Sequence, residues 1–335
     1  MDKYLAVVFI CDEKYYIPTS VAISSLLDNR EKTNYKIYVI CMEMSEESKN
    51  LFRIIGEKYN SDIITVDVTK DYLTKFGNLK EQDCAASLSA LIKFDISDLL
   101  SDEDKVLYLD GDIVVQKDLD YLSGLSFEED EYVKAVADTS LLYSHLVDKN
   151  DLSYFNSGVM LLNLKAMRKD NISEILVNKK ISNTETAFMD QDIFNDVMRD
   201  HKSILPYYYN VSNSLFRLKH LWKIKLPQVN ETFNTEFSEW NDIFNKSYIL
   251  HYASYDKPWK FSDIEGCDIW DSYYNRLPFE HPTLKRRKLR LDKIAKFSFT
   301  SKVNYGGILY WELKTKGIAK TFKAGKRFIQ KKIKK

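Results

Sequence analysis

Two carboxylates set two residues apart, Asp110 and Asp112, stand after the apolar run Val106-Leu107-Tyr108-Leu109 and before another, Ile113-Val114-Val115. In extended chain a two-residue step keeps both side chains on one face, about 6.5–7 Å apart at the backbone. Two hard oxygen ligands on one face suit Mg²⁺ or Mn²⁺ and leave positions for water and substrate phosphate oxygens. The same Asp110-Gly111 pair between apolar runs also reads as a tight β-hairpin turn, so both readings stand open. Further along, His251 ends an apolar run and Lys257 follows it in HYASYDKPW, placing an imidazole and an ammonium at the mouth of a strand. One could ligate a metal and the other neutralise a phosphate. Equally, a histidine beside Tyr252 and Trp259 reads as a packed core residue, and Lys257 as a solvated charge. Asp190-Gln191-Asp192 adds two acids and an amide at a helix start, where acids are favoured by the helix dipole alone.

These groups need a scaffold. Strand-length apolar runs alternate with helix-length amphipathic stretches: YLAVVFIC, IPTSVAISSLLDN, YKIYVICM, SEESKNLFRIIGEKY and DIITVDV. That βαβαβ order predicts an α/β domain with a doubly wound parallel sheet buried on both faces and ligands at the carboxyl ends of its strands. A helical stretch from Ala86 to Leu100 precedes the Asp110 strand, YFNSGVMLLNL reads as a further strand, and Phe188 to Arg199 as a helix. FICDEKYYIP follows the first strand where a glycine-rich loop would stand, which argues against a dinucleotide or P-loop site.

With 335 residues, 44% hydrophobic and 29% charged, the chain has ordinary globular composition and length for one large or two average domains. Cys11, Cys41, Cys84 and Cys267 lie far apart without a CxxC pair, so neither a zinc ribbon nor a disulfide framework is indicated, and a reducing cytosol fits. The first apolar run is too short for a membrane span and lacks a small-residue cleavage site, so it reads as a buried strand. The overall charge of zero conceals an asymmetry: residues 281 to 335 hold 18 Lys+Arg against Asp292 and Glu312 alone, a net of +16, leaving −16 on the rest. The acidic body argues against a nucleic-acid-binding catalytic region. The basic tail, read from Leu284 as two or three amphipathic helices broken near Gly306-Gly307, suits an anionic membrane surface better than RNA, for which no motif accompanies it.

Taken in order, FICDEKYY, DKVLYLDGDIVV, YFNSGVMLLNL, MDQDIFN and HYASYDKPW resemble glycosyltransferase family 8, which includes bacterial lipo-oligosaccharide galactosyltransferases and glucosyltransferases and glycogenin. The resemblance spans roughly residues 5 to 260 and thins beyond Trp259. It implies a GT-A-type, Rossmann-like nucleotide-sugar-binding domain, drawn here over residues 1–265, followed by a basic, helical, membrane-associating region over 266–335. It further implies transfer of galactose or glucose from a UDP-sugar to a glycan, glycolipid or glycoprotein acceptor, with retention at the anomeric carbon. By family position Asp110, Asp112 and His251 hold Mn²⁺ (Mg²⁺ is the other candidate), and Lys257 meets the diphosphate. Asp12 and Tyr15 match the uracil site, while Gly111, Asp138, Asn156, Asp190 and Gln191 match donor-binding positions.

Gln191 falls nearest the anomeric carbon by that correspondence, and an amide is a poor nucleophile. Front-face attack on the leaving-group side is therefore expected, with Asp190 the carboxylate for any covalent route. Where the family often has arginine before the DxD strand, this chain has Lys93, which keeps the charge and loses the planar fork. The resemblance places the chain in the cytoplasm at the inner membrane face, building a surface glycan. A catalytically silent nucleotide-sugar-binding relative, acting as a partner or scaffold of another transferase, is the alternative.

Overall fold

The computed structural model describes residues 4–76, 88–143, 152–183, 186 and 188–290. Its strands are β1 (Tyr4–Asp12), β2 (Asn34–Met42), β3 (Ile63–Val68), β4 (Lys105–Leu109), β5 (Ile113–Val115), β6 (Val133–Ala137), β7 (Phe155–Asn163), β8 (Lys202–Leu205), β9 (Val211–Ser212) and β10 (Ile249–His251). Seven form a sheet in the order β3-β2-β1-β4-β7-β6-β8, and β5-β10-β9 form a second, smaller sheet. The run from Leu5 to Cys11 is buried on both faces, as an uninterrupted apolar strand must be.

The expected parallel sheet holds for β3, β2, β1 and β4. It breaks at β7, which runs antiparallel to both β4 and β6, so the sheet is mixed. Reversing β7 brings Asn156 and Ser157, near its start, to the end of the sheet where β1 and β4 finish. The hairpin reading of Asp110-Gly111 does not hold. β4 pairs with β1 and β7, whereas β5 pairs antiparallel with β10, so the turn carries the chain from one sheet to the other.

The helix Tyr16–Asp28 is buried continuously from Ile17 to Leu27. It tolerates Ser25 there because the hydroxyl donates to the Ala22 carbonyl at 2.7 Å and accepts from the β5 amide of Val115 at 2.9 Å. The helix Glu46–Tyr59 starts as its sequence suggests: Ser45 accepts from the Ser48 amide, with Glu46 and Glu47 in the first turn. Cys11, Cys41 and Cys267 are buried free thiols, and Cys84 lies outside the described residues.

Beyond residue 265, the helix Cys267–Tyr274 buries Trp270 in the same core as the strands, together with Leu277 and Leu289. Residues 284–290, expected to begin a basic helix, run without helix and bridge Arg287 to Phe261. Burial of Leu289 and two hydrogen bonds to Asp263, from the Leu289 and Arg290 amides, hold this stretch against the body. The helices expected over 291–335 lie outside the described residues. Among the described residues no helix is long and apolar enough to cross a membrane.

Candidate active site

Asp110 follows the last residue of β4, Asp112 precedes β5, and His251 ends β10. One ligand atom from each lies within 4.8 Å of the others. His251 Nε2 sits 3.2 Å from Asp112 Oδ1 and 3.6 Å from Asp110 Oδ2, while its Nδ1 is 2.9 Å from Asn210 Oδ1. His251 is 2% exposed, and Nε2 is buried without a hydrogen-bond partner. A buried imidazole nitrogen aimed between two carboxylates, with its other nitrogen held, fits a divalent cation. The glycine on β7 fits as well: a Cβ at Gly158 would stand 2.3 Å from His251 Cε1 and 2.7 Å from Asp110 Oδ2. At Gly111 a Cβ would meet Thr19 Oγ1 at 2.4 Å, so this turn must also pass close to the first helix.

Two buried lysines neutralise the acids. Lys257 pairs with Asp112 and donates to the Tyr252 carbonyl. Burial opposes both charges, yet the Lys257 ammonium holds Asp112 below the usual carboxylate range, and Asp112 holds Lys257 above the usual lysine value. Lys93 stands between Asp110 at 3.1 Å and Asp190 at 3.0 Å and donates to the Ser157 carbonyl. Burial pulls its pKa down, and the two carboxylates outweigh it. Tyr15, in the turn that its amide closes on the Asp12 carbonyl, meets Trp259 in a T-shaped pair with ring centroids 5.7 Å apart. Burial pushes its hydroxyl up to about 12; Lys257 opposes that rise, and Asp112, Asp110 and Asp12 add to it.

Across β7 the groups are amides. Asn156 Nδ2 donates to Asp138 Oδ2 and Gln191 Oε1, each at 2.9 Å, and its Oδ1 accepts from the Gly158 amide and from Asn210 Nδ2. Gln191 Nε2 donates to Tyr154, which in turn donates to Asp192. Asp190 accepts from the Ser157 hydroxyl at 2.8 Å. Both residues open the helix Asp190–Val197, whose entry residue Met189 sits at φ 50°, ψ −109°. A non-glycine residue held there costs about 1–3 kcal/mol, and in this fold it turns Asp190 and Gln191 inward.

A model of glycosyl transferase family 8 matches residues 6–263. The chain belongs to this family. It is 28% identical over 288 residues to a lipopolysaccharide 1,2-glucosyltransferase of Escherichia coli, covering 82% of this chain and 79% of that protein. It is 29% identical to the glycosyltransferase GlyD of Streptococcus pneumoniae, of whose length it spans only 30%. The crystal structure of the galactosyltransferase LgtC with donor and acceptor sugar analogs superposes with a TM-score of 0.67 at 21% identity, covering 83% of this chain and 98% of that one. The GT-A-type α/β architecture is thereby shown, and family membership makes the chain a glycosyltransferase.

As a family 8 chain it assembles nearly all the residues singled out by sequence on one end of the sheet: Tyr15, Lys93, Asp110, Asp112, Asp138, Asn156, Asp190, Gln191, His251 and Lys257. Asp12 ends β1 beside them, with Oδ1 accepting from the Lys14 amide. Asp192 does not join them. Two residues on from Asp190 the helix has turned by about 200°, and Asp192 instead accepts from Tyr154 and the Phe188 amide. The sequence reading missed Asn210 and Tyr154. Asn210 stands in Tyr207-Tyr208-Tyr209-Asn210-Val211, a string with no spacing signal of its own, and only its contact with His251 reveals it.

Proposed function

We propose that this chain transfers a hexose from UDP-galactose or UDP-glucose to a glycan, glycolipid or glycoprotein acceptor during surface-glycan assembly. The observation that carries the reading is the convergence of Asp110, Asp112 and the buried His251 Nε2, which makes no hydrogen bond, beside Lys257. These three residues would hold Mn²⁺, or Mg²⁺ in its place. A divalent ion bound there supplies electrostatic stabilisation of the charge that develops as the nucleoside diphosphate departs. Lys257 adds an ammonium on the same side, and Asp12 and Tyr15 offer a carboxylate and an aromatic face to the base.

The neighbourhood of Asp190 and Gln191 favours front-face attack with retention. Asp190 is 5% exposed and its carboxylate is engaged by Lys93 and Ser157, which leaves little free charge for a covalent bond to carbon. Gln191 presents an amide that supports positive charge at the anomeric centre. The division into a catalytic body and a basic, membrane-associating C-terminal region, peripheral on the cytoplasmic membrane face, belongs to the same proposal and rests on the charge of the tail.

UDP release from UDP-glucose, UDP-galactose and their N-acetyl counterparts, with Mn²⁺ or with EDTA, tests the activity. Metal-dependent release from one hexose donor, lost in Asp112→Ala, is the expected result. Absence of both release and metal-dependent UDP binding would overturn it in favour of a silent, scaffolding relative. Vesicle flotation of the full chain against one ending at residue 290 tests the tail: binding to anionic vesicles by the full chain alone is expected.

A further inference from the structure

We propose that Asn210 is the positioning residue of His251, holding the imidazole with its proton on Nδ1 and its Nε2 lone pair toward Asp110 and Asp112. The proposal rests on the metal reading above and deepens it. Amide direction is ambiguous for an isolated asparagine, but here the surrounding groups decide it. Asp138 Oδ2, a carboxylate oxygen, only accepts, and the Gly158 N–H only donates; together they oblige Asn156 to turn Nδ2 toward Asp138 and Oδ1 toward Gly158. Asn156 Oδ1 therefore faces Asn210 as an acceptor, at 2.9 Å, and Asn210 must answer with its Nδ2. Its Oδ1 is then the atom left for His251 Nδ1, at 2.9 Å, and that nitrogen must carry a hydrogen. The remaining nitrogen, Nε2, is the buried one that makes no hydrogen bond, and it lies 3.2 Å from Asp112 Oδ1 and 3.6 Å from Asp110 Oδ2. Gln191 Oε1 accepts the second N–H of the same Asn156 and the Ser157 amide, so Asn156 touches an amide on each side. A backbone amide and a carboxylate, neither of which can reverse its role, thus fix the ligand histidine through two neutral side chains. Groups that hold the second nitrogen of a metal-bound histidine act in this way on ring orientation and basicity.

The test uses the full chain, stripped of metal by chelation and titrated with Mn²⁺ alone, following free Mn²⁺ by electron paramagnetic resonance. Asn210→Leu should weaken Mn²⁺ binding by about 10–100-fold and abolish the hydrogen-bonded Nδ1–H resonance of His251 in ¹⁵N-histidine-labelled, metal-free protein. Asn210→Asp keeps an acceptor for that proton but sets its second oxygen against Asn156 Oδ1, so it should restore the resonance and only part of the affinity. Parental Mn²⁺ affinity in Asn210→Leu together with an unchanged resonance would overturn the proposal. Should Asn210→Leu fail to fold, Asn156→Ala frees the Asn210 amide to reverse; a second set of His251 ring signals is then expected, and a single unchanged set overturns it. If the parent chain binds no Mn²⁺, the metal reading fails while the resonance still decides the positioning role.

Discussion

On one side of the site Lys93 and Lys257 meet Asp110, Asp112 and Asp190 as full charges, and on the other Asn156, Gln191 and Asn210 meet one another as neutral amides. The difference lies in what each side can specify. Buried charges supply field strength for a metal and a diphosphate, but removing any one of them strands another in a medium that penalises it. Amides supply little field. They have two distinguishable ends, so a network of them supplies direction. Removing a charge should therefore cost both stability and activity, whereas disturbing the amide side should cost site geometry first.

Asp112→Ala gives the largest expected effect. It deletes one ligand and strands Lys257, so turnover should fall on the order of a thousandfold, with stability down by about 3–5 kcal/mol. Donor-turnover assays and urea unfolding read the two losses, and near-parental turnover would break the charged side of the comparison. Lys93→Met should come next, leaving Asp110 and Asp190 without their shared cation and again costing about 3–5 kcal/mol, while Lys93→Arg should recover most of it. A melting curve for Lys93→Met that matches the parent would show that the two carboxylates do not depend on that ammonium.

Gly158→Ala sharpens the amide side. Its Cβ would press on His251 and Asp110, so Mn²⁺ affinity should fall about 10–100-fold with a stability loss of about 1–3 kcal/mol, read by metal titration and urea unfolding. A stability loss without any loss of metal affinity would show that the ring and carboxylate can move aside together. The smallest effect is set far from both sides, at Asp118. Burial raises its pKa, but the Lys32 amide, Thr33, Tyr35 and the Glu31 amide outweigh that and hold it below the usual carboxylate range. A folded pKa below the unfolded value of about 3.9 adds stability that is complete above that pH and is lost as pH falls through the folded value. Asp118→Asn should flatten this acid limb of the stability curve and leave donor turnover at neutral pH unchanged. A limb as steep as the parent's would show that other carboxylates carry it.

Much of the first half was legible because its information is local. The order β1, helix, β2, helix, β3 follows from runs whose apolar periodicity changes between strand and helix. The candidate site was legible through the order of its motifs and their resemblance to a family: taken singly, Asp110-Gly111 also read as a hairpin turn, His251 as a core residue and Lys257 as a solvated charge. The antiparallel run of β7 was not legible, because an apolar strand such as Phe155–Asn163 carries no mark of direction. Nor was the Met189 conformation, which nothing in Phe188-Met189-Asp190 demands. Residues 284–290 misled the helical reading because a basic, leucine-containing pattern also serves a segment laid against the body through Leu289.

By itself the sequence determined which chemistry was available, since carboxylate, imidazole and ammonium groups belong to residue type, and the family resemblance of its motifs marked Asp110, Asp112, His251 and Lys257 among them. Only the tertiary structure decided that Asp110-Gly111-Asp112 crosses between two sheets instead of closing a hairpin. The strand that pairs with Ile113–Val115 is Ile249–His251, far along the chain, and such pairing depends on the packed whole. For the same reason Asn210 had no visible part until β9 and β10 lay side by side and brought its amide to His251. Residue types carry chemistry in the chain itself; the direction in which an amide or a ring nitrogen points is set by neighbours that only folding supplies.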